Sequence, residues 1–316
     1  MSPHSKFPRL LSRFPTFPFS LYLAPVVFQK ITIVGVGLLG GSLGLAIKQR
    51  KLAAKVDGYV RRSASISECE KLGVVDHATR EIQRAVEDAD LIILCTPLSR
   101  MRELSEEMIT ALKPGAIVTD VGSVKASVVQ ELEPIFARAN AHFIGSHPMA
   151  GGEKVGVGAA KPDLFEKAVC VITPTAQSNA QAIEAAENFW KAVGSQIVKL
   201  SPETHDELVS RSSHLPHVIA AELANYVLSP THAKEQALLC ANGFRDTTRI
   251  ASGSPEMWRD ISLANQKNLS RVLAIFIEGL EEFRHALDSG DTKGIEEFFE
   301  KAKQRRDAWR AQAVAE

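Results

Sequence analysis

Three kinds of residue in this chain occur at spacings that could do chemistry. The first is glycine: Gly35, Gly37 and Gly40 punctuate Gly35-Val36-Gly37-Leu38-Leu39-Gly40, directly after the apolar run Ile31 to Val34. A strand that enters such a loop and leaves as a helix turns on the first glycine, admits a pyrophosphate at the second and packs helix against strand at the third. The helix then offers its free N-terminal N–H groups to the phosphates, so the spacing predicts dinucleotide binding. The second is His147, in Gly145-Ser146-His147-Pro148-Met149-Ala150-Gly151-Gly152. An imidazole takes up a proton near neutral pH, which suits a general base beside a nicotinamide. Ser123, in Asp120-Val121-Gly122-Ser123-Val124-Lys125, is the candidate to orient it. The third is a pair of cations, Arg245 and Arg249, four residues apart in Gly243-Phe244-Arg245-Asp246-Thr247-Thr248-Arg249. On one helical face they repel unless something neutralises them. Asp246 could, but a substrate carboxylate, gripped by the two parallel N–H bonds of a guanidinium, is the more useful partner.

Two further clusters qualify this chemistry. In Arg211-Ser212-Ser213-His214-Leu215-Pro216-His217, Pro216 interrupts a helical pattern and removes the hydrogen bond to the Ser212 carbonyl. The expected kink carries Ser213, His214 and His217 to the substrate site. No acidic or cysteine partner is spaced to complete a metal site with the two histidines, and no metal is expected. Val56 to Val60 reads as the second strand and ends in Arg61-Arg62-Ser63. An NAD site usually places an acidic residue there, about 20 residues beyond the glycines. Guanidinium groups instead pair with a phosphate, which favours NADP over NAD.

The elements that must position these residues follow from the same pattern. Apolar runs at Leu91 to Leu94, Ala116 to Thr119, His142 to Ile144, Val169 to Thr173 and Ile197 to Leu200 read as strands, with a helix from about Asn179 to Val193. Strands alternating with helices predict an α/β fold, a Rossmann-type doubly wound parallel sheet, whose ligands gather at the carboxyl ends of the strands. Cys95-Thr96-Pro97 and the clusters at 120–125 and 145–152 all stand at such ends and should share one cleft. After Ser201 the strand pattern stops. Ser201-Pro202-Glu203 and Ser254-Pro255-Glu256 both read as helix starts, a capping serine before a proline at the first helical position. Ile261 to Leu287 reads as one long helix with Leu269, Val272, Leu273, Phe276, Leu280, Phe283 and Leu287 on a single stripe and Ile275 and Ile277 off it. A helix that is apolar on more than one side needs cover on more than one side, which predicts a homodimer built through these helices. The expected domains are a poorly ordered extension at 1–29, a dinucleotide-binding domain at 30–200 and a helical substrate and dimerisation domain at 201–316.

Composition narrows the class. Lys+Arg and Asp+Glu balance at 37 each, so no global field draws the chain to nucleic acid or to an anionic membrane. No stretch after residue 29 is apolar for the roughly 20 residues a membrane span needs. Cys69, Cys95, Cys170 and Cys240 lie far apart with no paired spacing, as expected for buried reduced thiols in the cytoplasm.

The motifs GVGLLGGSLG, ILCTP, TDVGSVK, GSHPMAGGEKVG, SHLPH and GFRDTTRIASGSPEMW, in this order, give the chain from about Lys30 to Arg310 a resemblance to the prephenate/arogenate dehydrogenase family of tyrosine biosynthesis. That resemblance implies a Rossmann domain followed by an all-helical dimerisation domain. It implies a reaction in which NAD(P)⁺ accepts a hydride from a cyclohexadiene ring, the 4-hydroxyl loses its proton and the ring carboxylate leaves as CO₂, giving 4-hydroxyphenylpyruvate or tyrosine. By resemblance His147 accepts the hydroxyl proton with Ser123 as its partner, and Arg249 holds a substrate carboxylate. Ser213, His214, His217 and Gly243 match positions around the substrate, and Glu153, Asp246 and Trp258 match residues that gate or shape the entrance. Arg61-Arg62-Ser63 departs from the NAD-preferring members. The alternatives are a β-hydroxyacid dehydrogenase of similar layout, for which no helix-borne lysine motif is evident, and a non-catalytic dinucleotide-sensing dimer.

Overall fold

The apolar runs form one eight-stranded sheet in the computed structural model, which describes residues 28–315 apart from Glu153, Pro230 and His232. The strands are β1 (Phe28–Val34), β2 (Ala53–Tyr59), β3 (His77–Thr79), β4 (Leu91–Leu94), β5 (Ile117–Asp120), β6 (His142–Pro148), β7 (Val169–Thr173) and β8 (Gln196–Lys199). Their order across the sheet is β3-β2-β1-β4-β5-β6-β7-β8, and all neighbours run parallel except β6 and β7. The first six follow the strand order of a Rossmann fold, with the reversal between β1 and β4. The extension expected at 1–29 lies outside the described residues except for Phe28 and Gln29, which open β1. β3 is too short to stand out in the sequence. β6 runs four residues further than His142 to Ile144, because His147 and Pro148 pair antiparallel with Val171 and Cys170.

Six helices cover the sheet: α1 (Leu38–Gln49), α2 (Ser63–Lys71), α3 (Ile82–Val86), α4 (Leu98–Met108), α5 (Ala126–Ala137) and α6 (Ala180–Ala192). Because both faces are covered, a central strand such as β4 is apolar throughout. Leu91 and Ile93 pack with Leu43, Ile47 and Trp190 on one face, whereas Ile92 and Leu94 pack with Leu104, Phe136 and Phe143 on the other. Burying each such side chain stabilises the fold by about 1.5–3 kcal/mol. Glycine sets the closest approach: a Cβ on Gly44 of α1 would lie 1.9 Å from the Val74 carbonyl oxygen.

The rest is helical: α7 (Pro202–Val209), a π-helical turn (Ser210–His214), α8 (Leu215–Val227), α9 (Ala233–Leu239), α10 (Asn242–Thr248), a 3-10 turn (Arg249–Ser252), α11 (Pro255–Ala264), α12 (Gln266–Ser289) and α13 (Thr292–Ala315). Both expected helix starts are capped, Ser201 accepting from the Thr204 N–H and Ser254 from the Met257 N–H. The distortion expected around Pro216 is the π-helical turn, after which the proline falls in the first turn of α8. The long helix expected from Ile261 to Leu287 is two helices broken at Asn265, whose backbone leaves the helical region while its side chain is drawn inward. Along α12, Leu269 and Val272 are buried, whereas Ile275, Ile277, Leu280 and Leu287 remain exposed.

Gly44→Ala forces α1 off the Val74 carbonyl, and we expect a loss of about 1–3 kcal/mol, read as a lowered thermal midpoint with the assembly held at fixed concentration.

Candidate active site

The glycine loop sits between β1 and α1. Gly35 adopts a φ of +100° and lies so close to the strand end of β4 that a Cβ there would come within 2.8 Å of the Cys95 carbonyl oxygen and 2.9 Å of Thr96 Cγ2. Gly40 abuts the Gly35 carbonyl, whereas Gly37 opens onto space with no atom within 4 Å of its would-be Cβ. α1 has no side-chain cap at Gly37, so the N–H groups of its first turn, on Leu38, Leu39 and Gly40, have no capping side chain among the described residues. The Thr96 hydroxyl is buried without a hydrogen-bond partner among the described residues. An open helix N-terminus, a bare glycine and an unpaired hydroxyl fit a dinucleotide pyrophosphate. Pro97 caps α4, and burial pushes the Cys95 thiol well above the ordinary thiol range, which leaves it inert.

At the tip of β2, Arg61, Arg62 and Ser63 are exposed where α2 begins. Arg80, just beyond β3, donates from Nε to the Arg61 carbonyl (3.1 Å) and from Nη1 to the Ser63 hydroxyl (3.2 Å). Arg80 is therefore tied to the tip of β2, beside the residues Arg61 and Arg62. The other strand tips converge as expected. Gly122 approaches Leu98 at the start of α4, and Gly152 approaches Leu38 at the start of α1.

His147 is buried near the end of β6. Its Nδ1 lies 2.8 Å from Nε2 of His205 on α7, and His205 Nδ1 lies 2.8 Å from Oδ1 of Asp206. The Asp206 carboxylate also accepts the backbone N–H groups of Lys125 (2.7 Å) and Ala126 (2.9 Å) at the start of α5. Lys125, fully buried, directs its ammonium to the Asp120 carboxylate and to the Ser146 carbonyl (2.8 Å). Burial pulls the Lys125 ammonium below its ordinary pKa against the pull of Asp120. Burial also holds His147 well below 6.5, and the charges of His205, Lys125 and His214 act in the same direction. His147 is thus a neutral base at physiological pH. The atom within hydrogen-bond distance of His147 Nδ1 is His205 Nε2; Ser123, expected as the partner, is half-buried and sets its carbonyl beside His214.

A second arm of the network runs through the helices. Asn265 Nδ2 donates to the Asp206 carbonyl (2.8 Å) and lies 3.2 Å from His214 Nδ1. Burial lowers His214 to about 4, although Asp206 and the Ser123 carbonyl oppose the shift. Trp258 stands edge-on to His214, with ring centres 6.1 Å apart, and lies across His217 at 3.8 Å. His217 Nδ1 donates to the Ser213 carbonyl (2.9 Å), and burial lowers its pKa, helped by the charge of Arg249. The histidines, Ser213, Trp258 and Arg249 are therefore brought together. Arg245 and Arg249 do not share one helix face: α10 ends at Thr248, and Arg249 opens the 3-10 turn. Gly243 and Asp246 lie exposed on α10, and Glu153 falls outside the described residues. Sequence reasoning missed His205, Asp206, Lys125, Asn265 and Arg80. A histidine and an aspartate inside an ordinary amphipathic helix carry no spacing signal, and only the packing of α7 against the strand ends exposes their role. Among the described residues no cluster of ligating side chains could hold a metal ion.

Comparison with known proteins agrees with this geometry. Residues 43–199 match the model for the prephenate dehydrogenase nucleotide-binding domain, and residues 201–303 match that for the prephenate dehydrogenase dimerization domain. A prephenate dehydrogenase of Bacillus subtilis is 35% identical over 285 residues, 88% of this chain and 76% of that protein. A cyclohexadienyl dehydrogenase of Zymomonas mobilis is 36% identical over 282 residues, 89% of this chain and 96% of that protein. Among solved structures, the prephenate dehydrogenase of Aquifex aeolicus in complex with hydroxyphenyl propionate and NAD⁺ superimposes with a TM-score of 0.81 at 31% identity, over 89% of this chain and 98% of that one. With both halves matched in order and identity sustained along nearly the whole described sheet and helices, the chain belongs to the prephenate dehydrogenase family.

Proposed function

We propose that the chain is a cytoplasmic, homodimeric NAD(P)-dependent dehydrogenase that oxidatively decarboxylates prephenate, arogenate or both. One observation carries the reading: a buried, neutral His147 with Nδ1 engaged and Nε2 without a partner among the described residues, standing near the carboxyl end of β6, on the side of the sheet where the glycine loop lies. When bound, NAD(P)⁺ supplies the hydride acceptor. Gly35, Gly37, Leu38, Leu39 and Gly40 hold its pyrophosphate on the N-terminus of α1, with Thr96 beneath. Arg61, Arg62 and Ser63, joined by Arg80, favour a 2′-phosphate and hence NADP.

On the substrate, His147 Nε2 takes the proton of the 4-hydroxyl as that carbon gives up its hydride. The electron pair of the breaking ring–carboxylate bond then passes through the ring to the C4 oxygen, completing the aromatic ring as CO₂ leaves, and that oxygen takes back the proton held by His147. Arg249 anchors a substrate carboxylate from the rim, Ser213, His214 and His217 line the cavity beside it, and Trp258 walls His217. Ser123, beside His214, faces the same space. Gly243, Asp246 and Glu153 belong to the entrance in this reading. The exposed Ile275, Ile277, Leu280 and Leu287 of α12 give a second subunit an apolar face to cover, and the four free thiols fit a reducing compartment.

Steady-state rates with prephenate and arogenate, each with NAD⁺ and NADP⁺, test the assignment. We expect turnover of at least one substrate with CO₂ release and a lower KM for NADP⁺, and no turnover of either substrate overturns it. His147→Asn should keep KM while kcat falls by about 10²-fold or more. In the unsubstituted enzyme the acidic limb of kcat/KM should lie below 6.5, since the lowered pKa keeps the ring a base there. Arg249→Ala should mainly raise KM, because it removes binding shared by ground and transition states.

A further inference from the structure

The atoms around His147 determine more than its protonation; they determine which ring nitrogen carries the hydrogen. Every group that faces the Asp206 carboxylate is an N–H: Lys125 N and His205 Nδ1 at Oδ1, and Ala126 N at Oδ2. An ionised carboxylate only accepts, so His205 must carry its hydrogen on Nδ1. With that as its single ring hydrogen, His205 presents a lone pair on Nε2, and the atom 2.8 Å from it, His147 Nδ1, is then the donor. The remaining nitrogen of His147, Nε2, is left without a hydrogen. We infer that His205 is a positioning residue that, backed by Asp206 and the first amides of α5, fixes His147 in the tautomer whose Nε2 is the free base.

This inference rests on the reading of His147 as the proton acceptor and deepens it. The arrangement acts twice. Before reaction it removes the unproductive tautomer, in which Nε2–H would meet the substrate hydroxyl donor to donor. After His147 has taken the proton, its Nδ1–H still has an acceptor, and the Asp206 carboxylate stands one ring further back to offset the new charge. No proton transfer between the two imidazoles is needed. The groups that face this pair are Asp120 of β5, Lys125 ahead of α5, Cys170 of β7, Asp206 of α7 and His214 of the π-helical turn. Lys125 is tied to Asp120 and the Ser146 carbonyl, so His205 is the partner at His147 Nδ1. The aromatic rings of His147 and His205 cross at 72°, edge to face and not stacked, with the two nitrogens 2.8 Å apart.

Two measurements test this. With ¹⁵N-labelled histidine in the full-length protein, the His147 signal, assigned by its loss in His147→Asn, should show Nδ1 protonated and Nε2 bare near neutral pH. A protonated Nε2 overturns the inference. His205→Leu removes the acceptor, and kcat should fall by about 10²-fold with KM within about twofold, while the His147 signal moves toward the Nε2–H form. His205→Gln, whose amide oxygen can accept from Nδ1–H, should restore most of the rate. Rates unchanged in His205→Leu, or equal losses in the leucine and glutamine variants, overturn it as well. If His205→Leu does not fold, the spectrum of the unsubstituted protein and the glutamine variant still decide. Should His147→Asn keep its kcat, the proton acceptor itself is misassigned; should only the His205 variants be silent, the acceptor stands and the positioning role falls.

Discussion

The carboxylate of Asp206 is the constraint on which the site depends. A helix that starts without a side-chain cap leaves N–H groups unpaired, and α5 starts in that way at Lys125. A buried carboxylate, for its part, is tolerated only where donors surround it. Each need answers the other: Asp206, carried on α7, closes the first turn of α5, and the sheet half is thereby locked to the helical half. Asn265 adds a third strut by donating to the Asp206 carbonyl from the break between α11 and α12. His147, His205, His214 and Lys125 all take their places around this one anion.

Polarity across the site is graded. The proton-handling groups lie inside, where His147 and His205 are almost wholly shielded and the Lys125–Asp120 pair is sealed off. The groups read as charge anchors, Arg249 and the trio Arg61, Arg62 and Arg80, lie at the rim in contact with water. The division has a physical reason. A base works on a hydroxyl best where water cannot compete for the proton, whereas a cation that captures a charged ligand from solution must be reachable and exerts its field outward. Burial is the leading cause of the lowered pKa at each of the three histidines His147, His214 and His217.

Much of this was legible in the residues alone. The glycine loop, the strand ends and the two capped helix starts carry local rules, and each appears where those rules put it. What was not legible depended on packing. β6 extends through His147 only because β7 returns antiparallel beside it, and nothing in the residues 145–148 announces that partner. The break at Asn265 is hidden inside an unbroken apolar stripe; it exists because an amide is needed between Asp206 and His214, a requirement that arises only once α7 and α12 meet. Ser123, expected beside His147, is not the group at its Nδ1, for a related reason. It was near in topology, but α7 inserts a histidine between the strand tips that no spacing rule foresees.

The π-helical turn at Ser210–His214 carries a consequence for how this architecture can vary. One additional residue there shifts the angular phase of everything downstream by about 100° relative to an uninterrupted α-helix. α7 and α8 are consequently two pointers on one shaft, the first aimed at the strand tips through His205 and Asp206, the second turned so that His217, with His214 at the end of the turn before it, meets Trp258. A regularised shaft, one residue shorter, would keep its hydrophobic packing in rough outline and lose the agreement between the two pointers, so length in this segment is constrained more tightly than composition.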